Sequence, residues 1–172
     1  LNNVKNILEI GSAIGYSAIN MALTSSDVCV TTIERDKDRY IEAVKNIKEF
    51  NLEDRITLIL ADALAFNTDE EFDLIFIDGD HSYEGVRSDT ENAFKLLKGK
   101  SSIIVWHDYT TNYEHINYEV LAGILDGCPT NKRDKVFHIS NTLCAVYTEE
   151  DIISKNAIYP AFPDKNFKVT IE

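Results

Sequence analysis

The sequence predicts an α/β fold: a doubly wound, mostly parallel, seven-stranded sheet with helices on both faces and a C-terminal antiparallel hairpin. Three observations predict it. Short, near-continuous apolar runs alternate with segments of helical periodicity, the pattern of strands buried on both sides. Glycine or acidic residues recur where the runs end, and in such sheets ligands sit at those carboxyl ends. The last two runs are separated by a short Ser-Asn-Thr turn and pair most easily as an antiparallel hairpin.

The first strand is expected at 4–10 (VKNILEI), closing on Gly11, and a helix follows at 16–23 (YSAINMAL). A β-branched run at 28–34 (VCVTTIE) ends on an acid. Residues 37–50 place Tyr40, Ile41, Val44, Ile47 and Phe50 at amphipathic helical spacing. A third strand at 56–60 (ITLIL) leads to Asp62, and a fourth at 72–78 (FDLIFID) ends on Asp78. The segment 82–97 reads as a helix closed by Gly99, with Ser82 as its N-cap. A strand at 102–106 (SSIIVW, from its second Ser) runs into His107 and Asp108, and a helix is expected at 118–126. The hairpin strands fall at 136–139 and 143–147.

The length of 172 residues predicts one domain, at 1–150, with 151–172 an arm packing on it. That arm contains Pro160 and Pro163 and ends in FKVTI, an edge-strand pattern. The chain starts at Leu1, not Met, and reaches its first strand within a few residues, so we expect that an N-terminal portion was trimmed, excised or left out. With 17 basic and 29 acidic residues the net charge is −12, which disfavours nucleic acid and anionic membranes as partners. No apolar run approaches the ~18 residues of a membrane span. Cys29, Cys128 and Cys144 are odd in number and lack C-x-x-C spacing, which fits a reduced, cytoplasmic protein without a disulfide framework or structural zinc.

Chemistry concentrates at the strand ends. The first turn reads Glu9-Ile10-Gly11-Ser12-Ala13-Ile14-Gly15-Tyr16. A dinucleotide site wants G-x-G-x-x-G, and here Ala13 and Tyr16 stand at its second and third glycines. The turn suits a nucleoside ligand without a pyrophosphate, or is simply a tight strand-to-helix turn. Glu34 lies 19 residues beyond Gly15, where an acid can accept both hydroxyls of a ribose. Asp62, followed by Ala63, can receive an adenine amino group or cap the next turn.

ILEIGSAIGYSA, TIERD and LADALAF together resemble the cofactor loop, ribose-binding acid and adenine-side segment of class I S-adenosylmethionine-dependent methyltransferases. The resemblance spans about 7–147 and implies a Rossmann-like fold. It also implies cofactor contacts at Glu9, Gly11, Ser12, Ala13, Gly15, Ser17, Glu34, Arg35, Asp62, Ala63 and Asp78. EIGSAIGYSA, lacking the central glycine, looks closest to the catechol and caffeoyl-CoA O-methyltransferase branch. FDLIFIDGDHSYEG with VWHDY resembles related bacterial small-molecule methyltransferases.

In that branch the acid at Asp78 binds a divalent metal, and a catalytic lysine stands three residues later, where this chain has His81. The resemblance thus places catalysis at Asp78 and His81, since an imidazole can take a hydroxyl proton. The other reading has His81 as a helix-start residue hydrogen-bonded to a carboxylate. His107 and Asp108 fall where the branch supplies its other metal ligands. A set of Asp78, His107 and Asp108 suits Mn, Fe or Zn better than Mg; equally, His107 and Asp108 only shape an acceptor pocket. Trp106, Tyr109, Tyr113 and Tyr118 cluster nearby and line such a pocket or belong to the core. His115 and His138 have no evident partner, and Asp69-Glu70-Glu71 reads as a solvated loop.

The expected activity is O-methylation of a small-molecule hydroxyl (natural product, sugar or catechol-like) with S-adenosylmethionine and optionally a divalent metal. The partner is then the acceptor itself, with a homodimer left open. The rivals are an RNA or protein methyltransferase and a non-catalytic S-adenosylmethionine-binding module of a larger protein.

Overall fold

A computed structural model describes residues 4–112, 115–139 and 141–151. The expected arm therefore lies, from 152 onward, outside the described residues. The described chain runs β1 (Asn6–Ile10), α1 (Tyr16–Leu23), β2 (Cys29–Glu34), α2 (Lys37–Glu49), β3 (Ile56–Leu60), β4 (Leu74–Ile77), α3 (Tyr83–Lys95) and β5 (Ile103–Trp106). A small hairpin of β6 (Thr110–Asn112) and β7 (His115–Ile116) follows, then α4 (Tyr118–Gly127), β8 (Val136–His138) and β9 (Ala145–Tyr147). A single 3-10 turn at Ala63–Ala65 follows β3.

The main sheet has the order β3-β2-β1-β4-β5-β9-β8. Its first five strands are parallel, and β9 and β8 are added antiparallel. The hairpin folds back so that its second strand, not its first, joins β5. The order reverses between β1 and β4, which opens a crevice at their carboxyl ends.

Alternation along β1 divides the core between the two faces. Ile7 points to a cluster with Ala18, Ile19 and Ala22 of α1, Ile47 of α2, and Val30. Leu8 and Ile10 point to the other, with Val86 and Ala93 of α3, Val120 and Ile124 of α4, Trp106 and Tyr147. The helices start where capping side chains satisfy free amides. Asp36 accepts from the Asp38 and Arg39 amides at 2.9 Å each, and Ser82 accepts from the Gly85 amide at 3.3 Å.

Two features depart from expectation. Thr110–Asn112 and His115–Ile116 pair antiparallel as β6 and β7, with no run of alternating apolar residues to announce them. Cys29 is exposed at the start of β2, although its apolar run reads as a buried strand, and Cys144 stands outside the strands between β8 and β9; Cys128 is buried.

Candidate functional site

A cleft lies over the carboxyl ends of β1, β2, β3 and β4. It is lined by Gly11, Ala13, Glu34, Arg35, Arg39, Asp62, Ala63, Leu64, Asp78, Gly79, Asp80, Gly85 and Asp89, with Ile10, Ile33 and Ala61 behind them. Five carboxylates and two guanidiniums border it, so its field favours a cationic ligand.

The glycine turn is tightly self-satisfied. The amides of Gly11 and Ser12 both donate to the Ile33 carbonyl, at 3.0 and 3.1 Å. The Gly15 amide donates to the Ser12 carbonyl at 2.7 Å, and the Ala13 amide to Glu34 Oε2 at 2.7 Å. Gly11 has φ +96° and lies so close to β4 that a Cβ would overlap the Asp78 carbonyl oxygen, so no other residue fits there. With these four amides engaged, the turn offers no cradle for a pyrophosphate.

Glu34 is buried and joins two elements: Oε2 accepts from Ala13, while Oε1 accepts from the Asp36 amide at 2.8 Å. Each oxygen keeps a further lone pair, and the residue borders the cleft. Asp62 caps the 3-10 turn by accepting from the Leu64 amide at 2.9 Å. Arg35 reaches across to Asp80, 3.4 Å from Nη1 to Oδ2.

Of the residues expected to contact a cofactor, Gly11, Ala13, Glu34, Arg35, Asp62, Ala63 and Asp78 border the cleft, whereas Glu9, Ser12, Gly15 and Ser17 do not. Glu9 is 0% exposed and accepts from the Thr32 hydroxyl on the neighbouring strand. Burial pushes its carboxyl up to about 7, with hydrogen bonds from Ser17 and Thr32 pulling the other way. Glu9 shares the face of Ile7, under α1, and lies one residue short of the strand end. Ser12 is buried as well, and Gly15 caps α1 in the left-handed region, at φ 84°.

At the far side of the cleft a polar cluster forms. Ligating atoms of Asp78, His81 and Asp108 all lie within 4.8 Å of one another. His81 Nε2 is 3.3 Å from Asp78 Oδ1, and its Nδ1 is 3.0 Å from Asp108 Oδ2. His107 Nδ1 sits 3.3 Å from Asp78 and 3.2 Å from Asp108, yet it is buried with no well-formed hydrogen bond. Asp108 holds φ +53°, a strained setting for a non-glycine residue that turns its carboxylate inward. Burial raises the Asp78 carboxyl above its ordinary value, and the imidazoles of His107 and His81 oppose that rise. The ligating atoms that converge are those of Asp78, His81 and Asp108, so His81 stands where the expected set had His107, whose Nδ1 lies beside both carboxylates. An orphaned buried nitrogen beside two carboxylates and a second imidazole fits a divalent cation with mixed nitrogen and oxygen ligands.

The aromatic residues divide. Trp106 is core, 1% exposed, and its indole donates to Thr90 Oγ1 at 2.9 Å; Tyr118 is 77% exposed; Tyr109 packs on the His138 ring, 5.4 Å between centroids. Tyr113 lies outside the described residues. His115 pairs with Asn112, and His138 with the Thr142 carbonyl. Asp69, Glu70 and Glu71 are exposed. One cleft residue went unread in the sequence: Asp89 of α3, 4% exposed. An acid in mid-helix looks like any solvated position, and no local pattern signals its burial.

A doubly wound sheet whose switch-point cleft holds a closed glycine turn, an acid at the end of β2 and a carboxylate–imidazole cluster after β4 and β5 defines a nucleoside-binding enzyme class. The chain belongs to a methyltransferase domain family, whose model matches residues 8–109, more than half of its length. A caffeoyl-CoA O-methyltransferase of Populus kitakamiensis is 32% identical over 128 residues, 70% of this chain and 53% of that protein. The chain thus spans about half the length of that curated relative. A Staphylococcus aureus structure described as a candidate caffeoyl-CoA O-methyltransferase is 28% identical, with a TM-score of 0.65 over 86% of this chain and 77% of that one. A Podospora anserina methyltransferase solved with S-adenosylhomocysteine has the same fold, TM-score 0.65 at 21% identity, covering 86% of this chain and 72% of that one. Among the described residues no helix is long and apolar enough to cross a membrane.

Proposed function

We propose that this chain transfers the methyl group of S-adenosylmethionine to a hydroxyl oxygen of a small molecule. One observation carries the reading: the amides that would cradle a pyrophosphate are closed within the turn, while the same cleft is rich in carboxylates. A sulfonium nucleoside is cationic and has no phosphate, so it suits this field, and a dinucleotide does not. Glu34 holds the ribose hydroxyls through its remaining lone pairs. The likeness to caffeoyl-CoA O-methyltransferases supports a hydroxyl acceptor. The unpaired cysteines support a cytoplasmic setting.

In the transfer, the acceptor oxygen attacks the methyl carbon in line, the C–S bond breaks onto sulfur, and neutral S-adenosylhomocysteine leaves. The hydroxyl proton must go to a base. We assign that role to His81, next to the cleft residue Asp78: with Nδ1–H donating to Asp108, its Nε2 keeps the lone pair that can take the proton. Asp78 and Asp108 with one imidazole would hold a divalent cation, which when bound would acidify and orient the acceptor hydroxyl; where His81 is that ligand, its ring is no longer the base.

Calorimetry with S-adenosylhomocysteine and with NAD tests the cofactor. Only the former should bind, and Glu34→Gln should weaken it roughly 10–100-fold, the effect of losing a charge-assisted hydrogen bond. Tight NAD binding or an indifferent Gln variant would refute the assignment. Methyl transfer to catechols or caffeoyl-CoA, suppressed by EDTA and restored by Mn or Mg, is the expected activity. Cofactor binding without transfer to any hydroxyl acceptor would instead favour the non-catalytic module.

A further inference from the structure

Asp89 differs from every other carboxylate of the cleft. Glu34 accepts from Ala13 and Asp36, Asp62 from Leu64, and Asp80 from the Ser82 amide at 3.0 Å and from Arg35. Asp78 faces two imidazoles. Asp89 is 4% exposed, borders the cleft from α3, and accepts no hydrogen bond from any described residue. Its side chain borders the cleft, so a ligand bound there can supply the hydrogen bonds that the protein does not.

Position within the cleft identifies the ligand group. Glu34 marks the ribose at the end of β2, and the chemical segment beyond the ribose, away from the Asp78–Asp108 cluster, is the base. That end is formed by Asp62, Ala63 and Leu64 after β3, Gly79 and Asp80 after β4, and Asp89 beneath them. We infer that Asp89 reads the base of the bound nucleoside, pairing its carboxyl with the 6-amino group and an adjacent ring nitrogen of adenine. The inference rests on the S-adenosylmethionine reading above.

The chemistry matches. An adenine edge presents one donor and one acceptor side by side, which Asn and Gln meet with an amide. A neutral carboxyl meets it equally, with its O–H donating to the ring nitrogen and its C=O accepting from the amino group. Burial, reinforced by the charges of Asp62 and Asp80, pushes Asp89 up to about 7, while Arg35 pulls down. Its neutral form therefore persists into the neutral range. An ionised Asp89 could only accept, so binding should weaken as pH rises through 7.

Calorimetry at pH 6 and pH 8.5 on the intact chain tests this, with S-adenosylhomocysteine, adenosine and purine riboside (adenosine without its 6-amino group) as probes. Wild type should prefer adenosine to purine riboside by about tenfold, one hydrogen bond's worth, and should bind S-adenosylhomocysteine less tightly at pH 8.5. Asp89→Asn, which keeps a donor and an acceptor, should retain affinity within a few-fold and lose the pH dependence. Asp89→Leu should lose about 10–100-fold and the adenosine preference with it. Equal affinity of wild type for the two nucleosides overturns the role of Asp89, as does a folded Leu variant that keeps the preference. That result leaves the cofactor reading standing if S-adenosylhomocysteine still binds. Wild type binding none of the three probes overturns both.

Discussion

Single residues at this site do unequal work, and Glu9 shows the contrast most clearly. It does not line the cleft, yet burial lifts its carboxyl to about 7 while hydrogen bonds from Ser17 and Thr32 pull it down. Between the ordinary carboxyl range and about 7, the folded chain binds a proton that the unfolded chain has released. Unfolding free energy therefore falls as pH rises through that window. Glu9→Gln keeps an acceptor for Thr32 and removes the charge. It should stabilise the fold at pH 8 by on the order of 3 kcal/mol, with the gain shrinking toward pH 5. Urea titrations at both pH values measure this, and a pH-independent difference would reject the buried-proton account. His81 is the opposite case, a partly exposed side chain held by two carboxylates. His81→Ala should lower kcat by about 10²–10⁴-fold, the usual contribution of a positioned base, with S-adenosylhomocysteine affinity nearly unchanged. If equilibrium dialysis with Mn shows that metal uptake is lost too, the ring serves as a ligand and not as the base alone.

At the level of elements, the site depends on where α3 lies. This helix begins just past His81, is capped by Ser82 and carries Asp89 beneath the cleft. Its position is fixed by close approach to α4, where Gly127 admits the neighbouring backbone: a Cβ there would stand 2.5 Å from the Arg87 carbonyl and 2.7 Å from Thr90 Cβ. Gly127→Ala should push the helices apart, cost about 1–3 kcal/mol of stability and weaken S-adenosylhomocysteine binding through displaced Asp89. Gly99→Ala, with nothing within 4 Å of the added methyl, is the control and should leave affinity untouched. Thermal melts paired with calorimetry separate the two; equal behaviour of both variants would mean that α3 does not position the site. The glycine turn obeys the same logic from the other side of the crevice, since Gly11 lets β1 and the start of the Asp78 loop approach within contact.

For the molecule as a whole, a net charge of −12 gathers partly around one cleft, and that field selects cations before any contact is made. S-adenosylmethionine should accordingly bind more tightly at low than at high ionic strength, with neutral S-adenosylhomocysteine less affected. Calorimetry at 20 mM and 500 mM NaCl compares them, and equal salt slopes for the two would discount the field.

Much of this architecture is legible in sequence because it is local. Alternating runs set the strands, α1 spans Tyr16–Leu23 and β3 spans Ile56–Leu60 as their patterns predict, and Gly11, Glu34, Asp62 and Asp78 stand at strand ends that any parallel sheet gathers at one edge. The sequence by itself thus determined the fold class and the side of the sheet where chemistry sits. Tertiary structure decided the rest. It placed Glu9 under α1 while Glu34 borders the cleft, because Glu34 ends its strand at the sheet edge and Glu9 lies one residue inside its own, covered by the helix. It sealed the amides of the glycine turn against Ile33 and Glu34, brought His81 into the cluster of Asp78 and Asp108, and buried Asp89, a mid-helix acid with no local signal. Each of these depends on contacts between residues distant in the chain, and such contacts exist only once the helices have packed on the sheet.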